Sequence, residues 1–235
     1  MKNPFFLTIV YFFIIVIGYS QDRGYVAVSA GPSFPSGDFG SKDIDNEAAG
    51  LANTGAIFDI TYAQKFGKTF GMTLMLRGQA NPINAQPLVD ELHSYYPTLN
   101  WTSQNTNWEI GGFMGGLYGS FPLSASNKIT IDTRAMVGYL SATSPEITVT
   151  ASEGGNSLWV KTESAVGGTF GYLIGAGFKF GLGKHLGLLL NVDYVGATNQ
   201  FEDVATYNSL GFYTRDTYEQ TFGTVNVGVG IGWRW

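Results

Sequence analysis

Residues 225–235 read VNVGVGIGWRW, and along this stretch two kinds of side chain alternate without interruption. The odd-numbered positions carry Val, Ile or Trp, whereas the even-numbered positions carry Asn, Gly or Arg. Successive side chains of a β-strand point to opposite faces, so this pattern gives one apolar face and one small or polar face. The stretch therefore predicts a β-strand whose two faces meet very different surroundings.

The same alternation recurs upstream and predicts an all-β chain. No long segment shows the apolar period of 3.6 residues that an amphipathic helix requires. Each predicted strand is long enough for the ~9–11 residues with which a tilted strand crosses a bilayer. In the fourth strand, glycine on both faces obscures the facing, and we place Glu109 inward there. The predicted strands are 23–34, 54–64, 70–80, 108–121, 129–140, 165–180, 185–197 and 221–235.

The connections between these strands alternate between short and long. Residues 65–69, 122–128 and 181–184 form tight turns. Long loops occupy residues 35–53, 81–107, 141–164 and 198–220. An even number of strands with short turns at one end and long loops at the other is typical of bacterial outer-membrane barrels. We therefore predict an eight-stranded antiparallel transmembrane β-barrel with short periplasmic turns and long extracellular loops.

The composition excludes several other classes of protein. Only 13% of the residues are charged, against about 25% in soluble domains. A soluble ligand-binding barrel such as a lipocalin would spread many charges over its exterior, but the polar strand faces here are mostly Gly, Ser, Thr and Asn. The absence of cysteine excludes disulfides and thiolate chemistry. The net charge of -5, without a basic stripe, argues against nucleic acid as a partner.

The first 20 residues have the pattern of a secretory signal peptide. Lys2 precedes an apolar block at residues 5–18, and small residues stand at Gly18 and Ser20, before the expected cleavage site. The block is shorter than the ~18 residues of a membrane-spanning helix. We therefore expect a signal peptide over residues 1–20 and a single barrel domain over residues 21–235.

Several short motifs resemble the small outer-membrane β-barrel family common in Bacteroidota, which is OmpA/OmpX-like in its barrel. The resemblance implies a monomeric barrel that contacts outer-membrane lipid and lipopolysaccharide, without a cofactor, a catalytic motif or a periplasmic domain. It also implies insertion by the barrel-assembly machinery, with Trp233 and Trp235 in the terminal strand as the signal. The matching stretches are GPSFPSGDF (31–39), GSFPL (119–123), VGYL (137–140), SPEI (144–147), GAGFKF (175–180) and LLLNVDY (188–194).

Charged residues on the inward faces of the strands form the first candidate site. With Glu109, the set contains four acids and four bases. Charges in a narrow interior are tolerated when they form hydrogen-bonded pairs. We expect a polar plug that holds the barrel shut, with an ion path through the interior as the alternative. The other predicted members are Asp59, Arg77, Asp132, Arg134, Lys179, Asp193 and Arg234.

The long loops form the second candidate site because they are strongly acidic. They contain thirteen acidic and three basic residues, which leaves a net charge of -10. Asp43, Asp45 and Glu47 alternate as calcium ligands do, but Ala48 stands where an EF-hand loop requires glycine. They are therefore a weak metal candidate, beside loose divalent bridging to lipopolysaccharide.

Catalytic candidates are few. His93 and Ser94, with Glu91 nearby, can be pictured as a base and a nucleophile, but adjacent side chains rarely point at each other. Residues 88–95 can instead form a short amphipathic turn at the barrel mouth. We therefore expect a non-enzymatic outer-membrane barrel with a structural or interaction role. The alternatives are an accessory subunit of a secretion or assembly complex, as PorT-like barrels suggest, a narrow channel, and a lipid-modifying enzyme.

Overall fold

The computed structural model describes residues 24–123 and 128–235. The predicted signal peptide, residues 1–20, lies outside the described residues. The described part of the chain contains eleven β-strands, one α-helix and a 3-10 turn at Gly37–Gly40. The elements are β1 (Gly24–Ser36), β2 (Gly55–Lys65), β3 (Phe70–Pro82), α1 (Gln86–Tyr95), β4 (Asn100–Asn105), β5 (Asn107–Pro122), β6 (Ile129–Thr143), β7 (Ile147–Glu153), β8 (Asn156–Thr162), β9 (Val166–Gly181), β10 (Leu186–Asn208) and β11 (Tyr213–Arg234).

Eight of these strands close into a ring. They pair antiparallel in the order β1-β2-β3-β5-β6-β9-β10-β11, and β11 also pairs with β1. At this seam, Tyr25 lies opposite Arg234 and Ser36 lies opposite Gly223. A closed ring leaves no unpaired edge strand. The predicted eight-stranded antiparallel barrel is confirmed.

The two ends of the ring differ. At the end called the turn end here, short connections join β2 to β3, β5 to β6 and β9 to β10, and Gly24 meets Trp235. The opposite end, the loop end, carries the long connections. The predicted loop over residues 198–220 is wrong, because β10 and β11 continue through it as one long hairpin. A bulge between Phe201 and Val204, with Asp203 at a φ of 56°, bends this extension.

The loop end also carries three further strands that the apolar pattern did not indicate. β8 pairs with the end of β10, β7 pairs with β8, and β4 pairs with β7 as the outermost strand. We call β4, β7, β8 and the hairpin residues 198–220 the loop-end sheet. Residues 88–95, predicted as a short amphipathic turn, form most of α1, which contacts β4. Among the described residues, no helix is long and apolar enough to cross a membrane.

Along the ring strands, outward and inward faces alternate as the sequence predicts. In β11, Val229 is 51% exposed whereas Asn226 is fully buried. The same contrast holds in β2, where Phe58 and Ile60 are exposed while Asp59 is buried. Large apolar side chains thus cover the outside of the ring, and polar or small side chains fill its interior. This is the arrangement of a barrel whose surroundings are lipid.

One placement made from the sequence is wrong. Glu109 is exposed on the outer face of β5, whereas its neighbours Trp108 and Ile110 are buried inside. The error arises because β5 carries glycine on both faces, which removes the contrast on which the alternation depends. The outward phase of Trp235 agrees with the structure, because its half-buried ring lies 6.0 Å from the ring of Tyr62, which shares the outward phase of Phe58 and Ile60 in β2.

Candidate functional site

The centre of the barrel interior holds two buried ion pairs. Arg134 on β6 donates two hydrogen bonds to the carboxylate of Asp193 on β10, one of them from Nε at 2.7 Å. Arg77 on β3 lies 3.6 Å from Asp59 on β2. All four side chains are at most 7% exposed. Asp59 and Arg77 are opposite each other on neighbouring strands. Arg134 and Asp193 instead connect two strands that are separated by β9.

A third ion pair lies nearer the turn end and centres on Asp132. The carboxylate accepts hydrogen bonds from the hydroxyls of Tyr118 at 2.8 Å, Ser120 at 2.7 Å and Thr130 at 3.1 Å. Lys179 donates to the same carboxylate at 2.9 Å. Four donors therefore satisfy one buried acid, which is the condition under which a buried charge is tolerated.

Two tyrosines complete this arrangement. The Lys179 amine also donates to the Tyr118 hydroxyl at 2.9 Å and lies 4.7 Å from the centre of the Tyr25 ring. The Tyr25 and Tyr118 rings meet edge to face, with centroids 5.8 Å apart. Neither tyrosine was predicted from the sequence as a site residue. Tyr25 follows the inward phase of β1, whereas glycine on both faces of β5 hides the facing of Tyr118.

Arg234, the remaining predicted interior charge, does not join these pairs. Its guanidinium donates to the backbone carbonyl of Gly183 in the β9–β10 connection. Within residues 24–123 and 128–235, no acidic side chain forms an ion pair with it. The structure thus pairs three acids with three bases inside the barrel and leaves Arg234 at the turn end.

An aromatic cluster closes the interior at the loop end. Phe39 from the 3-10 turn packs against Phe222 of β11 and Trp108 of β5, with ring centroids 4.9 and 5.8 Å apart. Phe201 of β10 contacts Trp108, with centroids 5.7 Å apart. The Trp108 indole donates to the backbone carbonyl of Gly50 at 2.8 Å. Side chains from four separate parts of the chain therefore meet here; we call these four residues the aromatic plug.

The turn end is open by contrast. A cavity of about 500 Å³ extends from the rim to Tyr118 and Lys179. We call it the turn-end cavity. Tyr25, Ser120, Thr130 and Trp235 form part of its wall. Its basic lining residues are Lys65, Lys68, Lys179, Lys184, His185 and Arg234.

The three basic residues of the loops are engaged within the fold. Lys42 donates to the carbonyls of Leu51 and Ala52 at 2.7 and 2.8 Å, and burial lowers the pKa of its amine. Lys161 on β8 lies 2.8 Å from Glu146, and this hydrogen bond raises the pKa of Lys161. Arg215 donates to the Tyr213 hydroxyl, which raises the pKa of its guanidinium. Among the described residues, most loop carboxylates form no ion pair.

The structure does not bring the metal candidates together. Asp43 accepts a hydrogen bond from the backbone N–H of Asp45 at 3.1 Å, so its carboxylate closes a local turn. In the described ranges, no three His, Asp or Glu side chains lie close enough together to hold a metal ion. Asp43, Asp45 and Glu47 therefore form no ligand set in this structure.

The proposed base and nucleophile are also not oriented toward each other. His93 and Ser94 lie in the last turn of α1, and both are exposed. The Ser94 hydroxyl donates to the backbone carbonyl of Glu91 at 2.7 Å, as serine hydroxyls near the end of a helix commonly do. The structure thus assigns the Ser94 proton to the helix backbone rather than to His93.

Comparison with known proteins gives only distant structural similarities. No family model and no curated protein matches it. It is similar to Ail, the attachment invasion locus protein of Yersinia pestis, at 12% identity over 92% of this chain and 100% of that chain, with a TM-score of 0.46. It is similar to OprG from Pseudomonas aeruginosa at 11% identity over 92% of this chain and 98% of that chain, with a TM-score of 0.44. It is also similar to Neisserial surface protein A at 11% identity over 90% of this chain and 97% of that chain, with a TM-score of 0.39.

The aromatic plug was not predicted from the sequence. Phe222 lies in the inward phase of the predicted terminal strand, where a large aromatic residue is a signal for such a plug, whereas Phe201 falls within the predicted loop over residues 198–220. Phe39 carries no such signal, because it lies in a loop outside any alternating segment. Its role follows from the path of the β1–β2 connection, which folds back over the barrel mouth.

Proposed function

We propose that this chain is a non-enzymatic integral protein of the outer membrane that docks a protein partner through its loop-end sheet. One observation carries this proposal. The tip of the β10–β11 hairpin exposes Leu210 (76%), Phe212 (57%) and Tyr213 (56%), beyond the ring that lipid would surround. Large exposed apolar side chains rimmed by polar residues mark interaction surfaces.

The charge of the loops indicates what kind of partner fits this surface. The loops carry a net charge of -10 by sequence, and Lys42, Lys161 and Arg215 are already engaged. A partner with a basic surface would therefore be attracted to this end of the barrel. As the outermost strand of the loop-end sheet, β4 also offers backbone groups with which an extended segment could pair.

A secretion or assembly accessory subunit is a special case of the same proposal, in which the partner is another envelope protein. A narrow channel and a lipid-modifying enzyme have less support. The aromatic plug and the three interior ion pairs fill the path that a solute would take through a channel. Catalysis lacks an oriented nucleophile at His93 and Ser94.

The docking proposal is tested by replacing the exposed residues of the hairpin tip. We expect the wild-type protein to retain a stoichiometric partner after extraction in mild detergent. The double variant Leu210→Ser and Phe212→Ser should lose that partner without losing the fold. Leu182→Ser is the matched control, because Leu182 is 61% exposed at the turn end. Equal recovery of the partner with the tip variant would contradict the proposal.

Membrane insertion is the second part of the proposal. We propose that the barrel-assembly machinery inserts the protein and that its apolar band contacts outer-membrane lipid and lipopolysaccharide. Trp233, 57% exposed on the outer face, and Trp235 at the end of the terminal strand are the residues we assign to recognition. Trp235→Ala should reduce the heat-modifiable folded form recovered in the outer-membrane fraction. Unchanged assembly in a variant lacking both tryptophans would remove this assignment.

A further inference from the structure

The turn-end cavity concentrates positive charge in a concave site. Lys65, Lys68, Lys179, Lys184 and Arg234 line it, together with His185. No acidic residue is among its lining residues within the described part of the chain. The acid beneath it, Asp132, already accepts from three hydroxyls and Lys179. Lys68 and Lys184 form no ion pair among the described residues.

Two buried hydrogen-bond donors at this cavity also lack an acceptor. The Nε of Arg234 and the Nε1 of Trp235 are buried, and neither has a partner among the described residues. Both side chains line the cavity. A buried donor without an acceptor is costly. Because neither atom is open to the cavity, the cations of its wall are the groups that a ligand would meet.

We propose that the turn-end cavity binds a phosphate-bearing ligand. Lysine binds phosphate as a point charge and arginine as a fork of donors, so this set suits an anion of more than one charge. A volume of about 500 Å³ lies within the range of small-molecule sites and exceeds a bare phosphate ion. The rest of the ligand would contact the rings of Tyr25 and Trp235. This inference is independent of the partner proposed for the loop-end sheet.

The same chemistry has two sources, a soluble phosphorylated compound and the headgroup of an anionic phospholipid. The first experiment titrates the mature protein, folded in a neutral detergent, with inorganic pyrophosphate at constant ionic strength. The readout is the indole N–H resonance of Trp235 in NMR spectra, assigned with Trp235→Phe. We expect a saturable shift of this resonance, because the Trp235 indole lies in the wall of the cavity that the anion would enter.

Matched variants locate the site. The double variant Lys68→Ala and Lys184→Ala should weaken pyrophosphate binding about tenfold or more, the change that corresponds to ~1.4 kcal/mol. Arg234→Gln should weaken it similarly. Lys128→Ala is the control, since Lys128 is an exposed lysine of the same end that does not line the cavity. Heat-modifiable gel migration verifies that each variant is folded.

A second arm distinguishes the sources. In nanodiscs, phosphatidylglycerol should shift the Trp235 resonance relative to phosphatidylcholine and compete with pyrophosphate if a headgroup is the ligand. If the ligand is soluble, the two lipids should give the same spectrum and the same pyrophosphate affinity. The absence of a saturable Trp235 shift would overturn the proposal. Equal weakening by Lys128→Ala and by the cavity variants would also overturn it, because binding would then be diffuse attraction to a basic rim.

Discussion

Arg134 and Asp193 lie on strands that do not touch, and their side chains meet directly over Gly175. In the register of β9, Gly175 is the partner of Arg134 on one side and of Asp193 on the other. A side chain at residue 175 would occupy the place of the ion pair. Gly177 stands in the same relation to Asp132 and Asn191. Glycine on β9 therefore allows polar side chains of β6 and β10 to interact across an intervening strand.

This relationship predicts that Gly175→Ala is strongly destabilising. A Cβ at this position would lie 2.8 Å from the carboxyl carbon of Asp193, which must then move away from Arg134. Disrupting a buried ion pair costs about 3–5 kcal/mol. We expect a loss of this size in the free energy of unfolding, measured by urea titration of the folded band on gels.

Gly78→Ala is the control for this experiment. A Cβ at residue 78 meets nothing within 4 Å. Alanine also restricts the unfolded chain more than glycine does, so we expect a change within about 1 kcal/mol, in the stabilising direction. Equal losses in the two variants would show that backbone flexibility, rather than the ion pair, explains the glycine.

The Asp132 cluster predicts strong coupling between Asp132 and Lys179. Asp132→Asn leaves a lysine that is largely buried without its counter-charge, and we expect a loss of about 3 kcal/mol in unfolding free energy. Adding Lys179→Met should recover part of that loss, because the unpaired charge is then gone. Asp90→Asn on the exposed surface of α1 is the control. Additive effects of the two substitutions in a double-mutant cycle would contradict the coupling.

The sequence predicts the ring well for a physical reason. Lipid outside and a narrow polar interior impose opposite demands on the two faces of each strand. In β2, Phe58 and Ile60 therefore point outward and Asp59 inward. In β11, Val229 points outward and Asn226 inward. Each predicted ring strand is found, and the inward positions of the charged residues follow from this alternation. In β5, glycine occupies both faces and the contrast between them is lost. The predicted inward facing of Glu109 was wrong for this reason.

The loop-end sheet was not predictable on the same basis. β4 and β7 are rich in Thr, Ser and Asn, and no residue of β4 is fully buried, so no apolar period marks it. The aromatic plug depends on Phe39, which long-range folding of the β1–β2 connection brings to the barrel mouth. The turn-end cavity likewise depends on lysines that are far apart in the sequence. Features that need several distant segments to meet carry little local signal.

The aromatic plug predicts that Phe39 protects the β1–β2 connection from proteolysis. Phe39 is fully buried, and its carbonyl accepts the backbone N–H of Ala52 at 3.0 Å. Removing a buried phenylalanine costs about 3–5 kcal/mol. We expect Phe39→Ala to speed trypsin cleavage after Lys42 on intact cells about tenfold or more, because cleavage follows the population of the open loop. Phe58→Ala, on the lipid-facing side, is the control and should leave Lys42 protected. Unchanged cleavage in the Phe39 variant would show that other contacts hold this loop.

The Lys161–Glu146 pair predicts a pH dependence confined to the loop-end sheet. The hydrogen bond to Glu146 raises the pKa of Lys161 above its ordinary value. A base whose pKa is raised by folding stabilises the fold while it is protonated, and this support is lost as the pH rises through the raised pKa. The β7–β8 hairpin should therefore loosen only at strongly alkaline pH, as measured by the Lys161 side-chain NMR resonance and by hydrogen exchange of β7.

Glu146→Gln should move the midpoint of the Lys161 titration to lower pH, because the amine loses its charged acceptor. Glu153→Gln removes a charge from the end of the same hairpin without touching the pair and should leave that midpoint in place. If both substitutions move it equally, the general acidity of the loops, rather than this hydrogen bond, sets the pKa of Lys161.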